Sequence, residues 1–131
     1  MAHILIVDDD PTAVASNAAA IETLGHSVSS ADSSADAVEF VRREAPDLVV
    51  LEALLDGGYG GIALARTLAA DYPDLPLIML TKADERLTDE ELDSQDHDGG
   101  WIPVRRYMAK PVLNDVLAYE VEHLLPVDEK A

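Results

Sequence analysis

Four short apolar runs, each ended by a residue that can bind an ion or an anion, constrain this chain most. Ile4-Leu5-Ile6-Val7 stops at Asp8, Asp9 and Asp10, and Leu48-Val49-Val50-Leu51 stops at Glu52. Leu77-Ile78-Met79-Leu80 stops at Thr81, and Tyr107-Met108-Ala109 stops at Lys110. Uninterrupted apolar runs of this length, rich in branched side chains, read as strands buried on both faces, the habit of parallel sheets. Ser27-Val28-Ser29 is a weaker fifth candidate.

Amphipathic segments lie between these runs. Asp10-Pro11 opens a helix with Asp as N-cap and Pro at the first helical position. Val14, Ala18, Ile21 and Leu24 supply its apolar stripe, and Gly25 is placed to stop it. Ser33 or Ser34 caps a second helix carrying Val38, Val41 and Ala45, which ends before Pro46. After Glu52 comes a glycine-rich loop, Gly57-Gly58-Tyr59-Gly60-Gly61. A helix follows with Ile62, Ala65, Leu68 and Ala69 on one face, ending near Pro73. The last helix, read as capped by Asn114, presents Leu117, Val121 and Leu124 at helical spacing.

Strands alternating with helices imply parallel strands joined by right-handed crossovers, with helices on both faces. The working crevice of such a sheet lies beyond the carboxyl ends of its strands. Asp8, Asp9, Glu52, Thr81 and Lys110 all fall there. Clustered carboxylates suit a hard cation such as Mg²⁺, which takes oxygen ligands and retains water. A hydroxyl and an ammonium opposite them suit the oxygens of a phosphoryl group, where charge must be stabilised during transfer.

The charge balance narrows the partners. With 26 acidic and 9 basic residues the formal net charge is −17. Such a surface repels phosphate backbones and anionic lipid, which excludes nucleic acid and membrane as partners. It reads as a well-solvated acidic surface or as a docking site for a basic partner. No apolar run approaches the roughly 20 residues that span a bilayer. Met1-Ala2-His3 leads straight into the first strand without the basic region of a signal peptide. The absence of cysteine fits the cytoplasm, the expected location. His3, His26, His97 and His123 show no ligand spacing.

ILIVDDD at residues 4–10, PDLVVL at 46–51, IMLT at 78–81 and YMAKP at 107–111 together resemble a response-regulator receiver domain, over about residues 2–125. The resemblance implies a (βα)5 flavodoxin-like three-layer sandwich with a five-stranded parallel sheet in the order 2-1-3-4-5. It implies one domain over residues 1–125, a tail at 126–131 and no output domain. Asp8 and Asp9, with Glu52 and the backbone carbonyl of Leu54, would hold Mg²⁺ weakly. Thr81 and Lys110 would contact phosphoryl oxygens, and Tyr107 would be the aromatic switch residue, with core packing as its rival role. Gly60 matches the glycine of the loop after the third strand.

Two departures stand out. The family's phosphoacceptor is Asp, whereas position 52 is Glu. One extra methylene shifts the carboxylate by about 1.5 Å, and a misplacement of about 1 Å can cost roughly 10²-fold in rate. The expected function is therefore a pseudo-receiver, not an enzyme, in which Glu52 partly mimics a phosphoaspartate, pairs with Lys110 and acts through protein contacts. The alternatives are a working phosphoacceptor using Glu52 or Asp56, and a small phosphatase with Asp8 as nucleophile. The other departure is the long stretch from Ala83 to Val104. There Leu87-Thr88-Asp89-Glu90-Glu91-Leu92 reads as a staple around a capping box that starts a short helix at Thr88. Trp101, Ile102 and Val104 beside Arg105 and Arg106 make a candidate contact patch, with inward packing of Trp101 as the plainer reading. The expected partners are a sensor kinase or another signalling protein, or a second copy through residues 88–107 and the last helix.

Overall fold

In this computed structural model the described residues are 2–82, 104–110 and 112–125, with the backbone alone at 81, 82 and 109. The expected helix at Thr88 and the contacts of Trp101 and Ile102 lie outside them, as does the 126–131 tail. The elements, numbered as they occur among the described residues, are β1 (His3–Val7), α1 (Pro11–Glu22), β2 (Ser27–Ala31), α2 (Ser34–Glu44) and β3 (Leu48–Glu52). They continue with α3 (Gly60–Asp71), β4 (Leu77–Lys82), β5 (Arg106–Lys110) and α4 (Asn114–Leu124). All strand pairs are parallel, and the order is β2-β1-β3-β4-β5. This is the expected flavodoxin-like sheet.

Side chains alternate across the pleat, so each central strand feeds two cores. Leu5, Val7, Val49, Leu51, Leu77 and Met79 pack with α2 and α3. Ile4, Ile6, Leu48, Val50, Ile78 and Leu80 pack with Ile21 of α1 and Leu117 and Val121 of α4. Each of these side chains is at most 1 % exposed, and burial of that completeness contributes about 1.5–3 kcal/mol per residue. The continuous apolar runs of the sequence are thus explained: neither face of the inner strands meets water.

The helix ends follow local chemistry. The Asp10 side chain accepts from the Thr12 N–H, with Pro11 at the first helical position. Ser33, of the two serines considered, is the cap of α2, accepting from the Asp36 N–H. Gly25 adopts a φ of 93° just past α1, a positive-φ conformation that glycine takes without strain. Ahead of Pro46, Ala45 ends α2 with a φ of 49°, a left-handed conformation that a Cβ disfavours. Asn114 departs from expectation. Leu113 occupies the cap position of α4 without a side-chain bond, while the Asn114 Oδ1 accepts from the Ser16 hydroxyl of α1 at 3.4 Å. The amide is used to join two helices rather than to start one.

Candidate functional site

Register brings the acids together. Val7 of β1 lies opposite Leu51 of β3, so the next residues, Asp8 and Glu52, leave the sheet side by side. Lys110 ends β5 and reaches across β4. Its Nζ lies 2.6 Å from Asp8 Oδ2 and 2.7 Å from Glu52 Oε1. The three side chains are only 11 %, 3 % and 4 % exposed, in the order Lys110, Asp8, Glu52. This is a buried triad of two carboxylates around one ammonium, and removing the cation from such a group costs far more than an exposed ion pair would.

The remaining oxygens are also engaged. Asp8 Oδ1 accepts from the Asp10 N–H at 3.0 Å, and Glu52 Oε2 accepts from the Leu54 N–H at 3.1 Å. Burial alone would push the Lys110 ammonium down in pKa. Hydrogen bonds from Lys110 to Asp8 and Glu52, together with their charges, outweigh that and hold it above its ordinary 10.5. Lys110 is therefore a fixed cation at neutral pH.

The cleft above the triad has a volume of about 280 Å³ and is lined by Asp8, Asp9, Asp10, Glu52, Leu54, Gly57, Gly58 and Lys110. Asp9 is exposed at its mouth. The donors are oxygen atoms on carboxylates and backbone, which fits a hard divalent cation. Among the described residues, however, no group of three His, Asp or Glu side chains converges on a common metal position. Asp8 and Glu52 both meet the Lys110 ammonium instead.

Thr81 lies at the same sheet edge, its backbone in register with Ala109 next to Lys110. Tyr107 is half-buried against the α2–α3 core. Asp56 is not part of the cluster. It adopts a φ of 59° and its carboxylate faces the start of α2, 3.5 Å from the Ser34 N–H. Val104 also packs on the α2–α3 core, and the Arg106 guanidinium bonds both carboxylate oxygens of Glu120, at 3.1 and 3.0 Å. Arg105 remains exposed.

Two positions escaped the sequence reading. A Cβ at Gly61 would overlap the carbonyl oxygen of Glu52 itself, and the Gly61 N–H bonds the Ala53 carbonyl at 3.0 Å. Gly61 thus lets α3 press directly on the strand end that holds Glu52. Two adjacent glycines were visible, but only contact geometry separates the roles of Gly60 and Gly61. The other is His26, which is 4 % exposed. Its Nδ1 accepts from the Ala2 N–H at 2.9 Å and its Nε2 lies 3.1 Å from Glu122 Oε1. The first bond requires a bare Nδ1, so the proton of the neutral ring sits on Nε2 and is donated to Glu122.

The parallel five-stranded sheet thus carries acids at the ends of β1 and β3 and a lysine at the end of β5. The model of the response regulator receiver domain matches residues 4–99, and the chain belongs to that family, whose members act in two-component signalling. Protein PilH of Pseudomonas aeruginosa is 32 % identical over 127 residues, covering 95 % of this chain and 98 % of PilH. Response regulator MprA of Mycobacterium leprae is 30 % identical over 126 residues, of which this chain spans half the length. Among solved structures, a CheY-like response regulator receiver domain protein from Methanospirillum hungatei matches with a TM-score of 0.78 at 25 % identity, covering 99 % of this chain and 96 % of that one. NtrX from Brucella abortus matches with a TM-score of 0.78 at 27 % identity, covering 95 % of this chain and 27 % of NtrX. Receiver domains work with kinases and other signalling proteins and generally bind Mg²⁺ at the phosphorylation site. Among the described residues no helix is long and apolar enough to cross a membrane.

Proposed function

We propose that this receiver domain, spanning residues 1–125 with a tail at 126–131, is a pseudo-receiver: Glu52 stands in for a phosphorylated aspartate and signals through protein contacts. The observation that carries this reading is the 2.7 Å contact between Glu52 Oε1 and Lys110 Nζ. A longer acid already holds the cation that would otherwise meet a phosphoryl group, and a permanent charge pair needs no phosphodonor. Thr81 and Lys110 are the phosphoryl-contact positions, and Tyr107 is the switch residue that reports the state of the pair. Asp56 is a poor substitute acceptor, because its carboxylate is directed to α2. Asp8 is a poor phosphatase nucleophile, because both its oxygens accept hydrogen bonds.

Asp8, Asp9, Glu52 and the Leu54 carbonyl would hold Mg²⁺, which would neutralise charge in the cleft. Any metal competes there with an internal ammonium, so binding is weak, in the millimolar range. NMR titration with Mg²⁺ should shift Asp9 and Glu52 only at such concentrations. The partner is a sensor kinase or other signalling protein. The exposed Leu113, Val116 and Tyr119 around α4 are the described part of the surface that a partner or second copy would cover.

Intact-mass spectrometry after treatment with acetyl phosphate and Mg²⁺ tests the central claim. The wild type should remain unlabelled while Glu52→Asp gains a phosphoryl adduct. An adduct on the wild type, mapped to Glu52 or Asp56, overturns the pseudo-receiver reading.

A further inference from the structure

A second concave surface lies on the other side of Asp8 and Asp9. It is a groove of about 590 Å³ between α1 and α2, running over the end of β2. Pro11, Val14 and Ala15 form one wall, Phe40 the other, and Ser30 and Ala31 line its base. Asp9, Asp32, Asp36 and Glu39 rim it, against Arg43 as the cation in the lining. Arg43 is itself 3.6 Å from Glu44, and Glu39 is paired with Arg42, so Asp9, Asp32 and Asp36 carry the negative charge of the rim.

The base of this groove is an open sheet edge. β2 pairs with β1, and among the described residues no strand covers its outer side. The Ser27 N–H bonds the Ala2 carbonyl, and the Ala31 carbonyl accepts from the Asp8 N–H. Residues 27, 29 and 31 therefore turn their backbone groups inward. The two-residue period leaves the N–H and C=O of Val28 and Ser30 directed outward. Sheet edges are usually blunted by lysine, proline or a bulge, and β2, Ser-Val-Ser-Ser-Ala, has none of these in its sequence or register.

We propose that this edge accepts an extended, basic segment of a partner protein as a sixth strand beside β2. Strand addition supplies backbone hydrogen bonds from Val28 and Ser30, while alternate side chains meet the α1 and α2 walls. Apolar side chains fit against Val14 and Phe40, and lysine or arginine side chains meet the carboxylate rim. A second copy of this chain is a poor occupant of this edge, because its own β2, Ser-Val-Ser-Ser-Ala, brings no basic side chain to the carboxylate rim. The proposal is independent of whether Glu52 accepts phosphate.

The test uses two fluorescent heptapeptides, one alternating lysine with valine and one alternating arginine with leucine, against the full chain at low salt. At least one should bind with sub-millimolar affinity that falls as salt rises. Hydrogen exchange at the Val28 and Ser30 amides should slow on binding. N-methylation of the peptide along one edge should weaken binding at least tenfold, whereas methylation along the other edge should not. Ser30→Pro removes an outward N–H, which an edge strand tolerates, and should lower affinity by a similar factor with the fold retained by circular dichroism. Should Ser30→Pro unfold, Asp32→Asn with Asp36→Asn supplies the second variant, expected to flatten the salt dependence. The proposal is overturned if neither peptide binds at 1 mM. It is equally overturned if binding is indifferent to N-methylation, leaves the Val28 and Ser30 amides unprotected, or gives only edge-to-edge self-association.

Discussion

Lys110 carries the largest single consequence of any side chain in the site. Replacing it with Ala leaves Asp8 and Glu52 facing each other without a cation, and loss of one partner of a buried ionic group costs about 3–5 kcal/mol. Chemical denaturation of Lys110→Ala should show a loss of that order. Mg²⁺ should then raise the melting temperature of the variant more than that of the wild type, since the competing ammonium is gone. The pH dependence has a definite sign. The folded pKa of Lys110 is raised above 10.5, so its contribution is fully present below the unfolded value and is lost as pH rises through the folded one. The stability gap between wild type and Lys110→Met should stay flat through neutral pH and shrink only above about pH 10.5. At this scale the sequence was legible where strand ends announce themselves: Asp8, Glu52 and Lys110 each terminate an apolar run. The direction of the Asp56 carboxylate was not, because a loop carboxylate carries no register that says which way it points. His26 was hidden for a related reason, since a lone histidine acquires its two partners only through contacts with Ala2 and Glu122.

Among the elements, the helix ends offer the sharpest checks. Ala45 sits in the left-handed region at the end of α2, where a Cβ costs roughly 1–2 kcal/mol. Ala45→Gly removes that strain, offset by about 0.4–1 kcal/mol of extra freedom in the unfolded chain. A net gain of roughly 0.5 kcal/mol in thermal or urea unfolding is expected. The opposite result is expected at α3. A methyl at Gly61 meets the Glu52 carbonyl, and overpacking of this kind costs about 1–3 kcal/mol or more. Gly61→Ala should melt earlier and shift the amide resonances of Glu52 and Leu54. The order and type of the elements followed from the sequence because buried parallel strands and capped helices write their pattern locally. The cap of α4 did not, because Asn114 beside a helix start is equally suited to bonding Ser16 across α1, and local pattern cannot rank those uses. The face of α3 was read almost correctly, except that Gly61 and Leu64 complete its buried stripe while Ala69 is half-buried.

For the whole molecule, charge and chain path matter most. Self-repulsion at −17 weakens the compact state, and salt at about 0.15 M cuts the screening length to roughly 8 Å. The melting temperature should rise by several degrees between about 10 mM and 150 mM NaCl, where the Debye length falls from roughly 30 Å. The triad also ties together distant parts of the chain. Lys110 and Asp8 are separated by 102 residues, and His26 and Glu122 by 96. Contacts of such separation carry the loop-closure cost of nearly the entire chain, whereas β1-α1-β2 is assembled from near neighbours. The Lys110 ion contacts should therefore belong to the closing step of folding, after the transition state. In stopped-flow chevrons, Lys110→Ala should leave the refolding limb almost unmoved and accelerate unfolding by about two to four orders of magnitude, its full 3–5 kcal/mol appearing on that limb. The residue that pairs with Glu52 is then also the bolt that sets how long the folded molecule lasts.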